Sequence, residues 1–120
     1  MSQRLGKAFI KTNGALLETL PGAKINLGGI KRTPVKGANS VHGYSEEIET
    51  GKVECEISVS KDTKLIDYGK MSNVSITFEC DTGQTFVIKN AFLTDPPEAT
   101  AQEGGKVPLK FEGDPADQVN

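Results

Sequence analysis

The sequence predicts a mainly β protein, built as an antiparallel β-sandwich or barrel with one short helix. Two segments alternate strictly between apolar and polar residues, and one segment carries a helical pattern. The chain has 120 residues, with thirteen glycines, six prolines and 36% hydrophobic residues. This length suits one domain with a modest core, so we expect residues 1–120 to form a single domain whose surface is partly loop or covered by a partner.

The two alternating segments predict half-buried antiparallel strands. In residues 53–60 the apolar side carries Val53, Cys55, Ile57 and Val59, and the polar side carries Glu54, Glu56, Ser58 and Ser60. In residues 74–80 the apolar side ends at Cys80, and the polar side carries Ser75, Thr77 and Glu79. A thiol in such a register behaves as a small hydrophobe, which predicts reduced, buried cysteines and no disulfide.

Four further strand signals complete the predicted β structure. Asn13-Gly14 is a two-residue hairpin signal, and residues 20–22 break the following strand before it resumes at residues 23–27. Residues 84–94 are more continuously apolar than the alternating segments, which predicts a strand buried on both sides or one with a bulge near Lys89-Asn90. Pro108 lacks a backbone donor, so the last strand should be an edge strand or pair on one side.

The predicted helix covers residues 62–71. Asp62 or Thr63 can cap its start and Gly69 can end it. Its apolar side is expected to consist of Leu65, Ile66 and Tyr68.

Residues 28–51 form a long segment that is rich in glycine, first basic and then acidic, with scattered apolar residues. A loop of this length in a small domain is either functional or disordered. We expect it to be an arm that becomes ordered when another molecule packs on it.

The Asp81-Thr82-Gly83 motif occurs in aspartic proteases and also in tight turns. A protease needs two carboxylates that share a proton in an apolar site, and Glu79 would disturb such a site. The turn is the favoured interpretation, with Asp81 bonding nearby backbone and Gly83 at positive φ. The anchors of the two strands are expected to be Phe78 and Phe86.

No other pattern predicts catalysis, a cofactor or a metal site. His42 is the one histidine and has no suitably spaced ligand residues around it. The glycines near residue 28 lack the spacing of a phosphate-binding loop, and no stacking aromatics accompany the nearby basic residues. No stretch approaches the roughly 20 apolar residues of a membrane helix and no signal peptide is evident, which predicts a soluble protein that stays in the cytoplasm.

Charge is unevenly distributed along the chain. Residues 1–45 contain seven Lys or Arg and one acid, which gives +6, whereas residues 46–120 contain seven Lys and fifteen acids, which gives −8. Two interpretations remain open: separate solvated faces, or a subunit whose ends attract each other in a head-to-tail stack.

The order of the segments resembles a known family. "NGALLETLPGAKINLGG", "GYSEEIETGKVECEISV", "VSITFECDTGQTFVIKNAFLTDPP" and "EGGKVPLKFEGDPA" look like the tail tube protein of Mu-like contractile bacteriophages over nearly the whole chain. The resemblance implies a structural protein and no enzyme. It implies a tail-tube-like fold that forms hexameric rings, in which strands of all subunits join a ring-wide β-barrel.

The resemblance also implies partners and a location. The partners are other copies of the chain, the tail sheath protein, and the tape measure protein and DNA that pass through the lumen. The location is the tail of the virion, after assembly in the host cytoplasm. An alternative is a small β-domain that binds a protein through residues 28–51, and a dimeric aspartic protease is a third, least favoured interpretation.

This role suggests three groups of site residues. The arm from Ile30 to Glu49 would make contacts between rings or subunits, and a flexible tail at residues 112–120 could contact the sheath. The expected arm contacts are Ile30, Lys31, Arg32, Val35, Val41, Tyr44, Glu46 and Glu47. The expected channel-lining residues are Glu54, Glu56 and Ser58, with Ser75, Thr77 and Glu79 as a second row, since acidic and hydroxyl groups bind DNA weakly.

Overall fold

A computed structural model describes residues 6–17, 19–61, 63–99, 101 and 105–120. The predicted mainly β, antiparallel architecture is confirmed. The described elements are β1 (Ala8–Thr12), β2 (Ala15–Leu16), β3 (Lys24–Asn26), β4 (Gly29–Lys36), β5 (Val41–Glu49), β6 (Gly51–Ile57), α1 (Leu65–Gly69), β7 (Val74–Cys80), β8 (Thr85–Leu93), β9 (Val107–Gly113) and β10 (Asp117–Gln118).

The body of the protein is a strongly bent sheet in the order β2-β1-β7-β8-β9-β6-β3. We call β2, β1, β7, the first part of β8, and β10 the front sheet, and the end of β8 with β9, β6 and β3 the back sheet. Strand β8 joins the two because it pairs with β7 up to Ala91 and with β9 at Phe92 and Leu93. The fold is therefore a sandwich whose layers share one strand.

The core lies between the two sheets and is filled from both. The apolar sides of β6 up to Ile57 and of β7 up to Phe78 are buried as their alternation predicts, together with inward side chains of β1, β8 and β9. Two residues expected on these sides differ, since Val59 lies beyond the end of β6 and is 37% exposed, and Cys80 is only partly buried. The largest fully buried side chain is Phe111. The residues that form this core are Ile10, Leu17, Val53, Cys55, Ile57, Val74, Ile76, Phe78, Ile88, Ala91, Val107, Leu109 and Phe111.

Two local predictions are confirmed by the backbone. Asn13 and Gly14 both have positive φ and connect the register pair of Thr12 and Ala15, which is the geometry of a two-residue hairpin turn. In β8 the predicted bulge occurs at Lys89-Asn90, where the pairing with β7 shifts and Asn90 has φ 55°.

The helix is shorter than predicted and is capped differently. It begins after Lys64, and no side chain caps it. Asp62 lies outside the described residues, and Thr63 instead accepts a hydrogen bond from the backbone N–H of Ser60. Ile66 is expected on the apolar side but is 74% exposed, whereas Leu65 and Tyr68 are partly buried against the core.

Residues 112–120 differ from the flexible tail that was expected. The first two belong to β9, and β10 pairs with β8 through Asp117 and Val87. Backbone hydrogen bonds from Val119 N–H to the Thr85 carbonyl (2.9 Å) and from Ala116 N–H to the Leu27 carbonyl (2.8 Å) hold the segment on the body. Strand β9 pairs with β6 along its length and with β8 at its end, so near Pro108 it pairs on one side, as predicted.

The loop predicted for residues 28–51 is wrong in its secondary structure. Strands β4 and β5 form a separate two-stranded sheet, a hairpin closed by residues 37–40 with one shift in register near its tip. Its pairs lie up to twenty residues apart, from Gly29 with Glu49 to Lys36 with Val41. This hairpin has only a weak sequence pattern because its apolar residues cover no core and are correspondingly sparse.

Candidate functional site

The β4–β5 hairpin stands apart from the body. None of residues 29–49 is buried. The molecule measures 62 × 40 × 27 Å and has a radius of gyration of 17.4 Å. A compact domain of this length has a radius of gyration near 14 Å. The hairpin therefore extends from the body with both faces available.

The register divides the hairpin into two faces, because successive side chains point to opposite sides of a strand. One face carries the pairs Ile30 with Ile48, Arg32 with Glu46, Pro34 with Tyr44 and, beyond a shift in register, Lys36 with Val41. The other carries the intervening residues. We call the first the apolar face, and its apolar members are Ile30, Pro34, Val41, Tyr44 and Ile48.

Val41 reaches the apolar face through a bulge near the tip. Val35 pairs with Gly43 and Lys36 pairs with Val41, so His42 is an extra residue in β5. Without the bulge, the odd-numbered Val41 would point away from Tyr44. Gly43, at φ 140°, adopts a conformation that L side chains rarely take, which favours glycine next to the bulge.

Charged contacts stabilise the centre of the apolar face. The Arg32 guanidinium lies 3.6 Å from the Glu46 carboxylate and 5.6 Å from the centroid of the Tyr44 ring. Such ion pairs and cation–π contacts at exposed positions each contribute about 0.5–1 kcal/mol or less. They orient Tyr44 and Glu46 more than they stabilise the fold.

The second face of the hairpin is polar. It carries Lys31, Thr33, Ser45 and Glu47, with Val35 as its one large apolar residue. Lys31 lies 3.9 Å from Glu49 across the strands. We call this second face the polar face.

The hairpin joins the body at two glycines with positive φ, Gly28 and Gly29. A Cβ on Gly28 would lie 2.6 Å from the Thr50 carbonyl oxygen, so the chain approaches too closely there for any side chain. Asn26 accepts a hydrogen bond from the Gly28 N–H at 3.1 Å. The base of the hairpin is thus closely packed rather than loose.

The structure separates the arm residues that the sequence grouped together. Ile30, Arg32, Val41, Tyr44 and Glu46 share the apolar face. Lys31, Val35 and Glu47 lie on the polar face. Sequence reasoning missed Pro34 and Ile48 as members of the apolar face, although the spacing of Ile30 to Pro34 and of Tyr44 to Ile48 could have indicated them.

The two rows expected to line a channel lie on different sheets. Glu54 and Glu56 are on the outer face of the back sheet, whereas Ser75, Thr77 and Glu79 are on the outer face of the front sheet. Ser58 follows the end of β6. Because the sheets share one core, these faces point away from each other, and one straight channel can be lined by at most one of them.

The outer face of the back sheet is not acidic, contrary to the expectation for its first row. Glu54 lies between Lys24 and Lys110 in the register and pairs with the Lys24 ammonium at 3.2 Å. Lys52 lies 3.9 Å from Glu112. With Glu56, this face carries three lysines and three glutamates, a balance that a single strand's sequence could not show.

The Asp81–Gly83 segment is a turn, as predicted. The Gly83 N–H donates to the Cys80 carbonyl at 3.0 Å, and Gly83 has φ 106°. The predicted anchors Phe78 and Phe86 are register partners. Asp81 does bond backbone, but that of a distant segment: it accepts from the N–H groups of Gly6 (3.3 Å) and Lys7 (3.0 Å) and so fixes the start of β1.

The remaining reactive side chains have structural surroundings. Burial, with a smaller contribution from Glu56, raises the pKa of the Cys55 thiol to about 12. Burial and Asp81 also raise the pKa of half-buried Cys80, and both thiols are unbridged. The His42 ring lies against Gly37 at the hairpin tip.

The part of the chain that the structure describes contains no cluster of three or more His, Cys, Asp or Glu residues placed to hold a metal. None of its helices is long and apolar enough to cross a membrane.

Sequence comparisons place the chain among tail tube proteins. A family model described as phage tail tube protein matches residues 1–118. The tail tube protein of Escherichia phage Mu is 35% identical over 108 residues, covering 90% of this chain and 88% of that protein. The Mu-like prophage FluMu tail tube protein of Haemophilus influenzae is 29% identical over 110 residues, covering 92% and 91%.

Solved structures share the fold at low identity. A chain from the PVC sheath/tube terminator of an extracellular contractile injection system has a TM-score of 0.69 at 10% identity and covers 95% of this chain and 94% of its own. A chain from the anti-feeding prophage cap has a TM-score of 0.68 at 8% identity, with 94% and 87% covered. One from the PVC sheath-tube complex reaches 0.66 at 11% identity, with 93% and 87% covered.

The expected resemblance is confirmed by a family match over almost the entire chain and by a relative above 30% identity. The structure agrees, since its fold is found in contractile injection systems. The chain belongs to the phage tail tube protein family.

Proposed function

We propose that this protein is the repeating structural subunit of a contractile phage tail tube. Subunits close into hexameric rings, the rings stack into a hollow tube inside a contractile sheath, and DNA passes through the tube during ejection. The observation that carries the proposal is the β4–β5 hairpin, which exposes apolar residues and makes no part of the core.

An isolated soluble domain has no physical reason to maintain such a hairpin. Its apolar side chains are as much as 80% exposed, at Ile48, and a large exposed apolar patch marks a surface that another molecule covers. In a stack of rings, the hairpin from Ile30 to Glu49 contacts a neighbouring subunit and loses this exposure.

The sheet offers edges that ring closure would cover. Strands β2 and β3 end the strand order among the described strands, and an uncovered edge exposes unpaired backbone groups. Pairing these edges between neighbours would join the sheets of all subunits into a ring-wide barrel.

The outer face of the back sheet is the better candidate for the channel surface. Its three lysines are matched by three glutamates, so it offers DNA little net attraction. The front sheet exposes two apolar residues near its polar row, Phe9 (49%) and Val119 (62%), whereas the outer face of the back sheet exposes one, Phe92 (45%), beside Glu112. The front sheet therefore suits a protein contact more than the back sheet does.

The same role defines the partners and the location. The sheath surrounds the tube, and the tape measure protein and DNA occupy the lumen in turn. The subunit assembles in the host cytoplasm and acts in the virion tail as a structural component. No catalytic role is part of the proposal.

Removal of the outer hairpin tests this role. Thr33 and Ser45 are register partners, so residues 34–44 can be replaced by an Asn-Gly turn like that at residues 13 and 14. We expect a folded protein with an unchanged melting temperature that forms no tubes in negative-stain electron microscopy and sedimentation. The control is Asn39→Ala at the tip, which leaves both strands intact.

Normal tubes from the shortened protein would reject the hairpin's role. The same measurements on the unaltered protein separate the proposal from a small binding module acting through residues 28–51, since that module predicts a monomer rather than rings or tubes.

A further inference from the structure

We infer that the hairpin docks on a second copy of this chain through its apolar face alone, with the polar face left in contact with solvent. This inference rests on the proposed tube assembly, because it needs neighbouring copies. It divides the segment further than the family assignment does, since it assigns opposite roles to residues that alternate along the same strands.

The division of exposed apolar side chains between the faces supports the inference. Ile30, Val41, Tyr44 and Ile48 are 55%, 67%, 61% and 80% exposed and share one face with Pro34. The polar face offers Val35 alone, at 45%. Burial of the first set removes several times more apolar surface from water than burial of the second.

The bulge is an independent sign that the apolar face is built to be covered. A hairpin with regular pairing would place Val41 on the polar face. The extra residue His42 returns Val41 to the side of Tyr44 and Ile48. A bulge disrupts the hydrogen-bond ladder between the strands, which costs stability. In the isolated chain Val41 is two-thirds exposed, so its position offsets this cost only when another molecule covers it.

The charges on the apolar face favour another copy of the same chain as the occupant. Arg32 and Glu46 neutralise each other at its centre, and Lys36, opposite Val41, leaves the face with a single net positive charge, which is too little to select a strongly charged partner. A second copy presents apolar residues of its own, including Phe9 and Leu16, at 49% and 58% exposure.

The area of the apolar face is too small for a stable interface by itself and suits a contact that is repeated between many copies. Eight residues per strand give a length of roughly 26 Å and a width of about 10 Å, or about 260 Å². A stable interface buries roughly 800 Å² on each partner, so this face would be one part of a larger contact. Repetition around a ring makes such a weak contact effective.

Two valines provide a matched test. Val41→Lys places a charge on the apolar face, and Val35→Lys places the same charge on the polar face, near the same tip. We expect Val41→Lys to raise the critical concentration for tube formation by at least about tenfold, as loss of one buried valine would. Val35→Lys should stay within about twofold of the unaltered protein.

A second pair of variants, away from the bulge, tests whether the effect of Val41→Lys comes from the face rather than from a local change at the bulge. Ile48→Lys and Glu47→Lys are neighbours in β5 on opposite faces, and the first should block tubes while the second permits them. Thermal unfolding of the body should be unchanged for all four variants because the hairpin packs on no core. Assembly is measured by sedimentation and negative-stain microscopy on purified protein without sheath.

The outcomes are distinguishable. If tubes of the unaltered protein form and both members of each pair assemble alike, the face assignment is overturned while the tube function stands. If apolar-face variants form normal tubes but no longer recruit added sheath protein, the occupant is sheath, and the inference is overturned as well. If the unaltered protein forms neither rings nor tubes, the proposed function fails first.

Discussion

Cys55 illustrates how one buried residue can report on the whole core. It lies on the inward side of β6, opposite Leu109 in the register, and is 5% exposed. Its thiolate would have to exist among apolar side chains, which is why burial raises its pKa from 9.0 to about 12. The native protein therefore holds this proton at pH values where the unfolded chain releases it.

This difference predicts a loss of stability at alkaline pH. The pKa of Cys55 is higher in the folded protein than in the unfolded chain. The contribution of the protonated thiol to the free energy of unfolding is therefore fully present below pH 9 and is lost as the pH rises toward about 12. At pH 10.5 the loss should be about 2 kcal/mol, since each pH unit above the unfolded pKa costs about 1.4 kcal/mol. Urea unfolding at pH 7.5 and 10.5 measures it.

The control for this prediction is Cys55→Ala, which removes the thiol and keeps all other titrating groups. The variant will be less stable at both pH values because it leaves a cavity, but it should lack the extra alkaline loss. An equal pH dependence in the two proteins would contradict the buried thiol.

At the level of single residues, prediction from sequence succeeded where the position of a side chain is set by residues close to it in the same strand or turn. Gly83 and Cys55 are placed as their local patterns indicate. The acidic character expected around Glu54 is absent because its charge is neutralised by Lys24, thirty residues earlier, and strand pairing is invisible in one strand's sequence.

Among the secondary structure elements, dense alternation made β6 and β7 predictable, and Asn13-Gly14 fixed the first hairpin. The β4–β5 hairpin escaped prediction because both of its faces are exposed, so no core imposes a strong apolar pattern. Strand β10 escaped it because two residues held by backbone hydrogen bonds leave no side-chain signal.

Truncation tests whether the last segment is an element or a tail. Removal of residues 115–120 deletes the pairing of β10 with β8 and the hydrogen bond from Ala116 to Leu27. Loss of a few backbone bonds worth about 1 kcal/mol or less each should lower the melting temperature by roughly 5–10 °C. Differential scanning calorimetry measures the change.

Val119→Ser is the matched control, since it alters an exposed side chain and keeps the backbone bond to Thr85. Its melting temperature should not change. A truncated protein that melts like the full chain would support the flexible tail that the sequence suggested.

At the scale of the whole molecule, folding mixes the charges that the sequence keeps apart. Five ion pairs are found among the described residues, and four join a base from residues 1–45 to an acid from residues 46–120. The hairpin itself folds basic β4 onto acidic β5. This favours solvated, mixed faces over the head-to-tail attraction that the sequence left open.

The balanced back sheet gives a prediction for DNA passage. Glu54→Lys with Glu56→Lys changes its outer face from three lysines and three glutamates to five lysines and one glutamate, a charge of +4. Each phosphate that the added lysines neutralise releases counterions, so DNA should bind and leave more slowly. Phage carrying the variant should eject DNA more slowly, and added salt should reduce the defect.

The matched control places the same charges on the opposite side of the molecule, as Ser75→Lys with Thr77→Lys on the front sheet. Tube assembly is checked by electron microscopy in both cases. If intact tubes of the back-sheet variant release DNA at the normal rate, or if the control is the slower one, the back sheet does not face the channel.

The bulge at His42 also limits how the hairpin can change over evolutionary time. An exchange of one residue alters one side chain. The gain or loss of a single residue near the tip would instead move Val41 to the opposite side and leave Tyr44 and Ile48 without it. Related chains should therefore differ here by substitutions, or by insertions of two residues at a time. Single-residue changes in the length of the hairpin should be rare.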